Sequence, residues 1–389
     1  MDFLNKEAKR AIYILIFGNF LICLGISLVI PVQPYIKKMY GYSTTEMGIM
    51  TSLYSLAQFI ASPIVGRVSD IIGRKSVIVS GLILYFVSEV IFAISNDLWL
   101  FDLSRIIGGL SAAMFIPTSM AMAADLTDNR HRARVIGWIS AAFSGGLILG
   151  PGLGGLIAQI SYKAPFWAAG LLGLLSTIFT QLLLQDQAGK RPTNSAVVNW
   201  RQLLTPLLII LFVMIFVSSF GLQGFESIYS IYVNQVFHFD MGTIALVLTL
   251  NGIFSLFFQI VIFDWLTQKL GELNLIATCF LLGSLCTVWI TQAKQNIEVI
   301  IATLVVFVAF DLLRPAITTL LTKMSHANQG LVNGLNMSLT SVGNIIGPIM
   351  SGMLMDFNYH IPYIVVAILL FISFLITLLV AAVFKKQLT

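Results

Sequence analysis

Residues 361–384 read IPYIVVAILLFISFLITLLVAAVF without a single charge. About 20 consecutive apolar residues suffice to cross a bilayer core. Eleven further runs of this kind divide the chain, giving candidate spans at 11–32, 47–66, 76–95, 98–122, 134–160, 165–184, 205–233, 241–263, 273–292, 298–322, 331–355 and 361–384. Backbone groups in lipid must be satisfied internally, so only helices or a closed barrel can span. These runs are long and continuous, unlike the short alternating strands of a barrel, so helices are predicted. Composition agrees: 58% of residues are hydrophobic and 10% charged, against roughly 25% charged in soluble domains. The first run is too long for a signal segment and is read as a retained span.

Charge gives an orientation. Lys and Arg concentrate in cytoplasmic loops. With the N-terminus inside, the inner segments hold sixteen bases and the outer ones four, Lys37, Lys38, Lys163 and Lys294. Both termini are therefore expected inside. The net charge of +5 then belongs to membrane topology and implies no nucleic acid. Cys23, Cys279 and Cys286 lie in apolar runs with no metal-ligand spacing, and no metal or cofactor is expected.

The two halves of the chain look like copies. Pro117 and Pro315 are 198 residues apart, Gly150-Pro151 and Gly347-Pro348 are 197 apart, as are Gly137 and Gly334, and Asp70 and Asp264 are 194 apart. A parallel repeat of six spans is a transporter architecture with its substrate site near mid-membrane. The expected fold is an all-α integral membrane protein of twelve transmembrane helices in two six-helix bundles related by a pseudo-two-fold along the membrane normal. The bundles are read as 1–184 and 205–389, joined by a cytoplasmic linker at 185–204.

Several spans carry polar residues that lipid makes costly. A charge at mid-bilayer costs about 2.5–3.5 kcal/mol on insertion scales, so it marks a functional or paired site. Span 10 contains FDLLRP, in which Asp311 and Arg314 share a helix face, either as a structural ion pair or as part of a site. In span 7, Glu226 has only Gln223, Ser227, Tyr229 and Ser230 as polar neighbours within a turn. No base there holds it charged, which suits a proton carrier. Asp311 reads as its partner, with Arg314 deciding when Asp311 is free. Glu89 in span 3 reads as a packed, hydrogen-bonded acid. Asn333, Asn336, Thr340, Asn344 and Gly347 form one stripe of span 11, and Ser55, Gln58 and Ser62 one of span 2. Polar stripes on a lipid-bathed helix point inward. Phe59, Phe143, Tyr229 and Tyr232 are candidate cation-binding rings.

Four strings carry a family resemblance. GRVSDIIGRKS at residues 66–76 resembles the loop 2–3 signature of the major facilitator superfamily, with Gly66, Asp70, Gly73, Arg74 and Lys75 in the matching places. GGLILGPGLGG at residues 145–155 resembles the span 5 signature of its proton-coupled drug antiporters, on Gly146, Gly150, Pro151, Gly154 and Gly155. LSRIIGGLSAAM at residues 103–114 resembles the span 4 signature, and LGISLVIPVQP at residues 24–34 that of span 1. FESIYSIY, FDLLRPAIT and LTSVGNIIGP narrow the likeness to the multidrug efflux pumps of Gram-positive bacteria typified by NorA and Bmr. The resemblance implies a cytoplasmic gate at the loop 2–3 residues and a proton-coupling role for Arg105, although Arg105 can instead snorkel to the outer interface. It also implies that Glu226 and Asp311 are the proton-coupling pair. Cys23, Ser144 and Leu147 depart from the group's pattern, which bears on substrate range.

The expected function is proton-coupled efflux of lipophilic, often cationic compounds across a bacterial plasma membrane, by a monomer. Candidate substrate-binding residues are Glu226, Asp311, Gln58, Tyr229, Ser230, Phe143, Asn336, Thr340 and Asn344. A carrier for one metabolite remains the alternative. No phosphate-binding loop, HExxH or GxSxG occurs, so no enzyme activity is expected.

Overall fold

The structure is a computed structural model that describes residues 6–184, 206–324 and 329–383. The linker read at 185–204 lies outside them. Fourteen α-helices are described: α1 (Lys6–Leu28), α2 (Gln33–Tyr40), α3 (Thr44–Ile72), α4 (Arg74–Ile94), α5 (Leu98–Asp125), α6 (Asn129–Ala158), α7 (Ala164–Leu183), α8 (Pro206–Phe237), α9 (Met241–Phe257), α10 (Phe263–Leu270), α11 (Glu272–Gln292), α12 (Asn296–Met324), α13 (Gln329–Phe357) and α14 (Ile361–Val383). Twelve segments are long and apolar enough to span a membrane. Span 1 is α1 with α2, span 8 is α9 with α10, and the other helices are one span each. The protein is thus a multi-pass, all-helical membrane protein. Its outward-facing surface carries large apolar side chains, such as Leu182, Ile260 and Leu379, as lipid contact requires.

Three departures from the sequence reading have a clear local reason. Span 1 runs on to Tyr40 because Pro31 and Pro34 interrupt the α-ladder only into a short 3₁₀ turn, Ile30–Val32, before α2 resumes. Gly41, at φ 69°, ends it by donating its N–H to the Lys37 carbonyl. The charged string after Gly66 is mostly helix: α3 continues to Ile72, and only Gly73, at φ 98°, breaks it before α4. Span 8 is broken by a π turn, Phe258–Ile262.

Two compact units are present. The first comprises α1, α2, α3 from Leu53, α4 to α7, and Asp240–Thr249 at the start of α9. The second comprises residues 43–52 at the start of α3, α8, the rest of α9, and α10 to α14. The first turns of α3 and α9 are thus exchanged relative to a division at the linker. Asp356, near the end of α13, accepts from the Thr44 and Thr45 amides at 2.7 and 2.8 Å and caps α3. Two of the orphan donors at the head of α3 are satisfied in this way. At the head of α9, Thr243 donates to Asp240 and holds that carboxyl below the usual carboxylate range.

Within the units the same packing recurs. In the first, α1 packs on α6, and α4 on α5 and α7; in the second, α8 packs on α13, and α11 on α12 and α14. The reason is legible at the glycines. A Cβ at Gly146 would overlap the Phe20 carbonyl oxygen, one at Gly150 would overlap the Ser27 hydroxyl, and one at Gly154 would meet the Leu28 carbonyl oxygen at 2.8 Å. At Gly347 a Cβ would meet the Gly224 nitrogen and the Phe220 carbonyl oxygen, both at 2.9 Å, and at Gly343 the Phe220 nitrogen at 2.7 Å. One residue per turn is therefore held to hydrogen by backbone contact, as small-residue helix seams require.

Candidate functional site

The second unit gathers the acids singled out in spans 7 and 10. α8 packs against α12, and the Glu226 and Asp311 carboxyls lie within electrostatic reach of each other. Both are half-buried. Gln223, one turn before Glu226, donates its amide to Oε2 at 3.2 Å, and no base among the described residues forms an ion pair with Glu226.

Asp311 is held differently from the sequence expectation. Among the described residues no ion pair joins it to Arg314, whose side chain is exposed. Its partner is Ser255 on α9, whose hydroxyl donates to Asp311 Oδ2. Asn251, one turn earlier, approaches that hydroxyl through Oδ1 at 3.5 Å. Neither residue was singled out from the sequence. The usable signal was their four-residue spacing on an apolar span, the pattern that marked spans 2 and 11.

The other candidates are distributed as follows. Tyr229 and Ser230 are fully buried, and Tyr229 lies among Phe225 and Phe307, with ring centroids 5.8 and 5.9 Å away. On α13, Asn336 donates to the Thr318 hydroxyl at 3.1 Å, and Thr340 reaches Asn336 Oδ1 at 3.5 Å. Asn344 is half-buried, and the side chain of Asn333 lies outside the described ones. Gln58 on α3 and Phe143 on α6 belong to the first unit and are half-buried.

Arg105 does not snorkel. It is 6% exposed, with Nη2 3.8 Å from Glu89 Oε1 and its guanidinium 4.4 Å from the Phe92 ring centroid. Glu89 is 3% exposed. Two buried opposite charges at this separation still attract strongly, because little water screens them.

The loop 2–3 residues form an ion-pair cluster. Arg74 lies 2.8 Å from Asp70 Oδ1 and 3.1 Å from Asp125 Oδ2, and donates to Ser69 Oγ at 2.9 Å. Gly73 supplies the positive φ that lets α4 start with Arg74 turned back on α3. Gly66 has open space around it, and Lys75 is half-buried. Asp125, at the end of α5, was not anticipated, since nothing in its local sequence separates it from a loop acid. The other unit repeats the turn in weaker form. Gly271, at φ 76°, precedes α11, Lys323 pairs with Glu272, and Lys269 lies 4.8 Å from the Trp265 ring.

No cluster of three or more His, Cys, Asp or Glu side chains among the described residues can hold a metal. Twelve spanning helices with buried, loosely paired acids and a repeated packing pattern define a secondary transporter. The chain belongs to the major facilitator superfamily, whose sequence profile it matches over residues 15–242 and 211–387. It is 37% identical over 377 residues to Multidrug resistance protein 1 of Bacillus subtilis (strain 168), covering 96% of this chain and 97% of that protein. It is 36% identical over 364 residues to the quinolone resistance protein NorA of Staphylococcus aureus (strain COL), covering 91% and 92%. Among solved structures, the nucleoside transporter NupG superposes with a TM-score of 0.79 over 96% of this chain and 98% of its own, at 14% identity. A bacterial homologue of the human lysosomal transporter Spinster gives 0.82 over 99% of each chain, at 13% identity. These two share the fold.

Proposed function

We propose that the protein is a proton-coupled multidrug efflux antiporter that exports lipophilic, often cationic compounds from a bacterial cell. The observation that carries this reading is the pair Glu226 and Asp311, two membrane-embedded acids on packed helices with no direct ion pair among the described residues, in a chain whose relatives are named for multidrug and quinolone resistance. Such an acid holds a proton or a cation, not both. Protons arriving from outside release the cation, and loss of protons inside prepares the acids for the next one. Each proton brings about 2.3 kcal/mol per 100 mV of membrane potential and about 1.4 kcal/mol per pH unit. One proton for one monovalent cation is electroneutral, whereas two acids permit two protons and a contribution from voltage.

In this reading Glu226 is the main proton carrier and cation anchor, with Tyr229, Ser230, Asn336, Thr340, Asn344, Gln58 and Phe143 supporting substrate binding. Arg105 and Arg314 tune the charges, and Gly66, Asp70, Gly73, Arg74 and Lys75 form the cytoplasmic gate. The working unit is a monomer in the plasma membrane, built of bundles 1–184 and 205–389 with both termini inside.

The test is ethidium efflux from cells expressing the protein, with and without a protonophore. Efflux that collapses with the protonophore is expected. Absence of efflux, with growth dependent on one nutrient, overturns the reading in favour of a metabolite carrier.

A further inference from the structure

Ser255 has two features that a packing serine lacks. It is 6% exposed inside the second unit, and its hydroxyl is committed to Asp311. A Ser or Thr in a helix ordinarily returns its hydroxyl to the carbonyl four residues back, as Thr249 on the same helix does to Ala245 at 2.8 Å. At Ser255 the residue four back is Asn251, which brings a side-chain oxygen to the hydroxyl. The backbone beyond is also unusual. The α-ladder of span 8 ends at Phe257 and widens into the π turn Phe258–Ile262, where Phe263 donates to Phe258. Single π turns break a helix's regular register and occur often at functional sites. This one lies within a turn of Ser255.

The charges around Asp311 make a hydroxyl donor consequential. Arg314 lies one turn along its own helix without a direct ion pair among the described residues, and Glu226, on the neighbouring α8, is within electrostatic reach of Asp311. Of the other helices packed on α12, α11 carries Cys279, Cys286 and Glu272, the last paired with Lys323, and α13 carries Asp356, which accepts from the Thr44 and Thr45 amides. On the side of α9 the groups brought up are Ser255 and Asn251, both neutral. A hydroxyl that donates to a carboxylate favours its charged form; protonation leaves the acid able to donate instead, so the same contact no longer discriminates.

We propose that Ser255, carried on the α-helical turn that leads into the π turn, is a positioning residue that controls when Asp311 takes its proton during exchange. The inference rests on Asp311 being a proton-coupling acid, as the proposed function holds. It makes span 8 the element that reads the protonation state of span 10.

The experiment uses the full chain in liposomes, with ethidium as the transported probe and an imposed pH gradient. Exchange is measured across pH for the parent protein and for D311N, S255A and S255T. D311N is expected to lose gradient-driven exchange. S255A is expected to keep its melting temperature and exchange ethidium with a half-maximal pH moved upward by about one unit, as loss of a hydrogen bond to a charged group implies. S255T, which keeps the hydroxyl, is expected to retain the parent profile. If D311N loses exchange while S255A keeps the parent profile, the role of Ser255 is overturned and that of Asp311 stands. Equal shifts in S255A and S255T also overturn it, since side-chain volume and not the donor then matters. Full exchange by D311N overturns both readings.

Discussion

At the scale of single residues, the two most deeply buried charges, on α4 and α5, hold each other. Glu89 and Arg105 are both under 10% exposed and 3.8 Å apart. Removing one leaves the other buried and uncompensated, which costs about 3–5 kcal/mol. Glu89→Leu should therefore lower the melting temperature sharply in detergent, and the double change with Arg105→Leu should recover much of the loss. A purely additive double variant would mean the two charges do not depend on each other. The position of Arg314 makes a second claim. Because Asp311 accepts a hydrogen bond from Ser255, while Arg314 acts on it through charge without a direct ion pair among the described residues, Arg314→Ala should move the pH midpoint of exchange less than Ser255→Ala does. A larger shift in the arginine variant would restore the intrahelical pair as the controlling contact.

At the scale of elements, the glycine-rich string of α6 separates into positions that need glycine and positions that do not. Gly150 faces the α1 backbone with no room for a Cβ, whereas a Cβ at Gly145 would sit 3.9 Å from the Phe20 ring. Overpacking costs about 1–3 kcal/mol, while glycine inside a helix costs about 0.5–1 kcal/mol relative to alanine. Gly150→Val should destabilise and reduce efflux, and Gly145→Ala should be neutral or raise the melting temperature. The reverse order would mean that the string acts through flexibility and not through its fit against α1. Gly73 makes a third case: at φ 98° and ψ 144°, alanine is strained by roughly 1–3 kcal/mol. A lower melting temperature in Gly73→Ala, without direct loss of the Arg74 charge, would identify the backbone as what aims that arginine. Gly137 and Gly334, which counted towards the sequence repeat, have nothing within 4 Å of where a Cβ would stand; their match reflects no packing need.

At the scale of the whole molecule, the orientation inferred from charge can be tested directly. Cys23 and Cys279 are buried and Cys286 is half-buried, so replacing Cys286 with serine suffices as a labelling background. A membrane-impermeant thiol reagent applied to intact cells should label Ser161→Cys, in the α6–α7 turn, and should reach Asp128→Cys only after permeabilisation. The opposite pattern would invert the topology. The all-helical fold and its twelve spans were readable from the sequence, because the bilayer demands long apolar runs and leaves few alternatives. The repeated packing was readable in part, since Gly150 and Gly347, at a matched offset, lie on the seams of α6 on α1 and of α13 on α8. The candidate site was only partly legible. Glu226, Asp311 and Arg105 stood out because charge is rare in lipid, whereas Ser255, Asn251 and Asp125 are ordinary residues until the fold brings them to a charge.

By itself, then, the sequence determined the solvent, the secondary structure, the number of spans and which residues had to justify their charge. All of these follow from the cost of placing polar groups in hydrocarbon. Tertiary structure decided the partners: Ser255 as the hydrogen-bond donor to Asp311, Phe92 and Glu89 for Arg105, Asp125 as the second acid on Arg74. The reason is distance along the chain. A hydrogen bond or ion pair between helices depends on side chains tens of residues apart meeting within a few ångströms, and no local pattern encodes that. FDLLRP shows the division most clearly, since its spacing set Arg314 beside Asp311, whereas the hydrogen bond to Asp311 comes from Ser255 on α9.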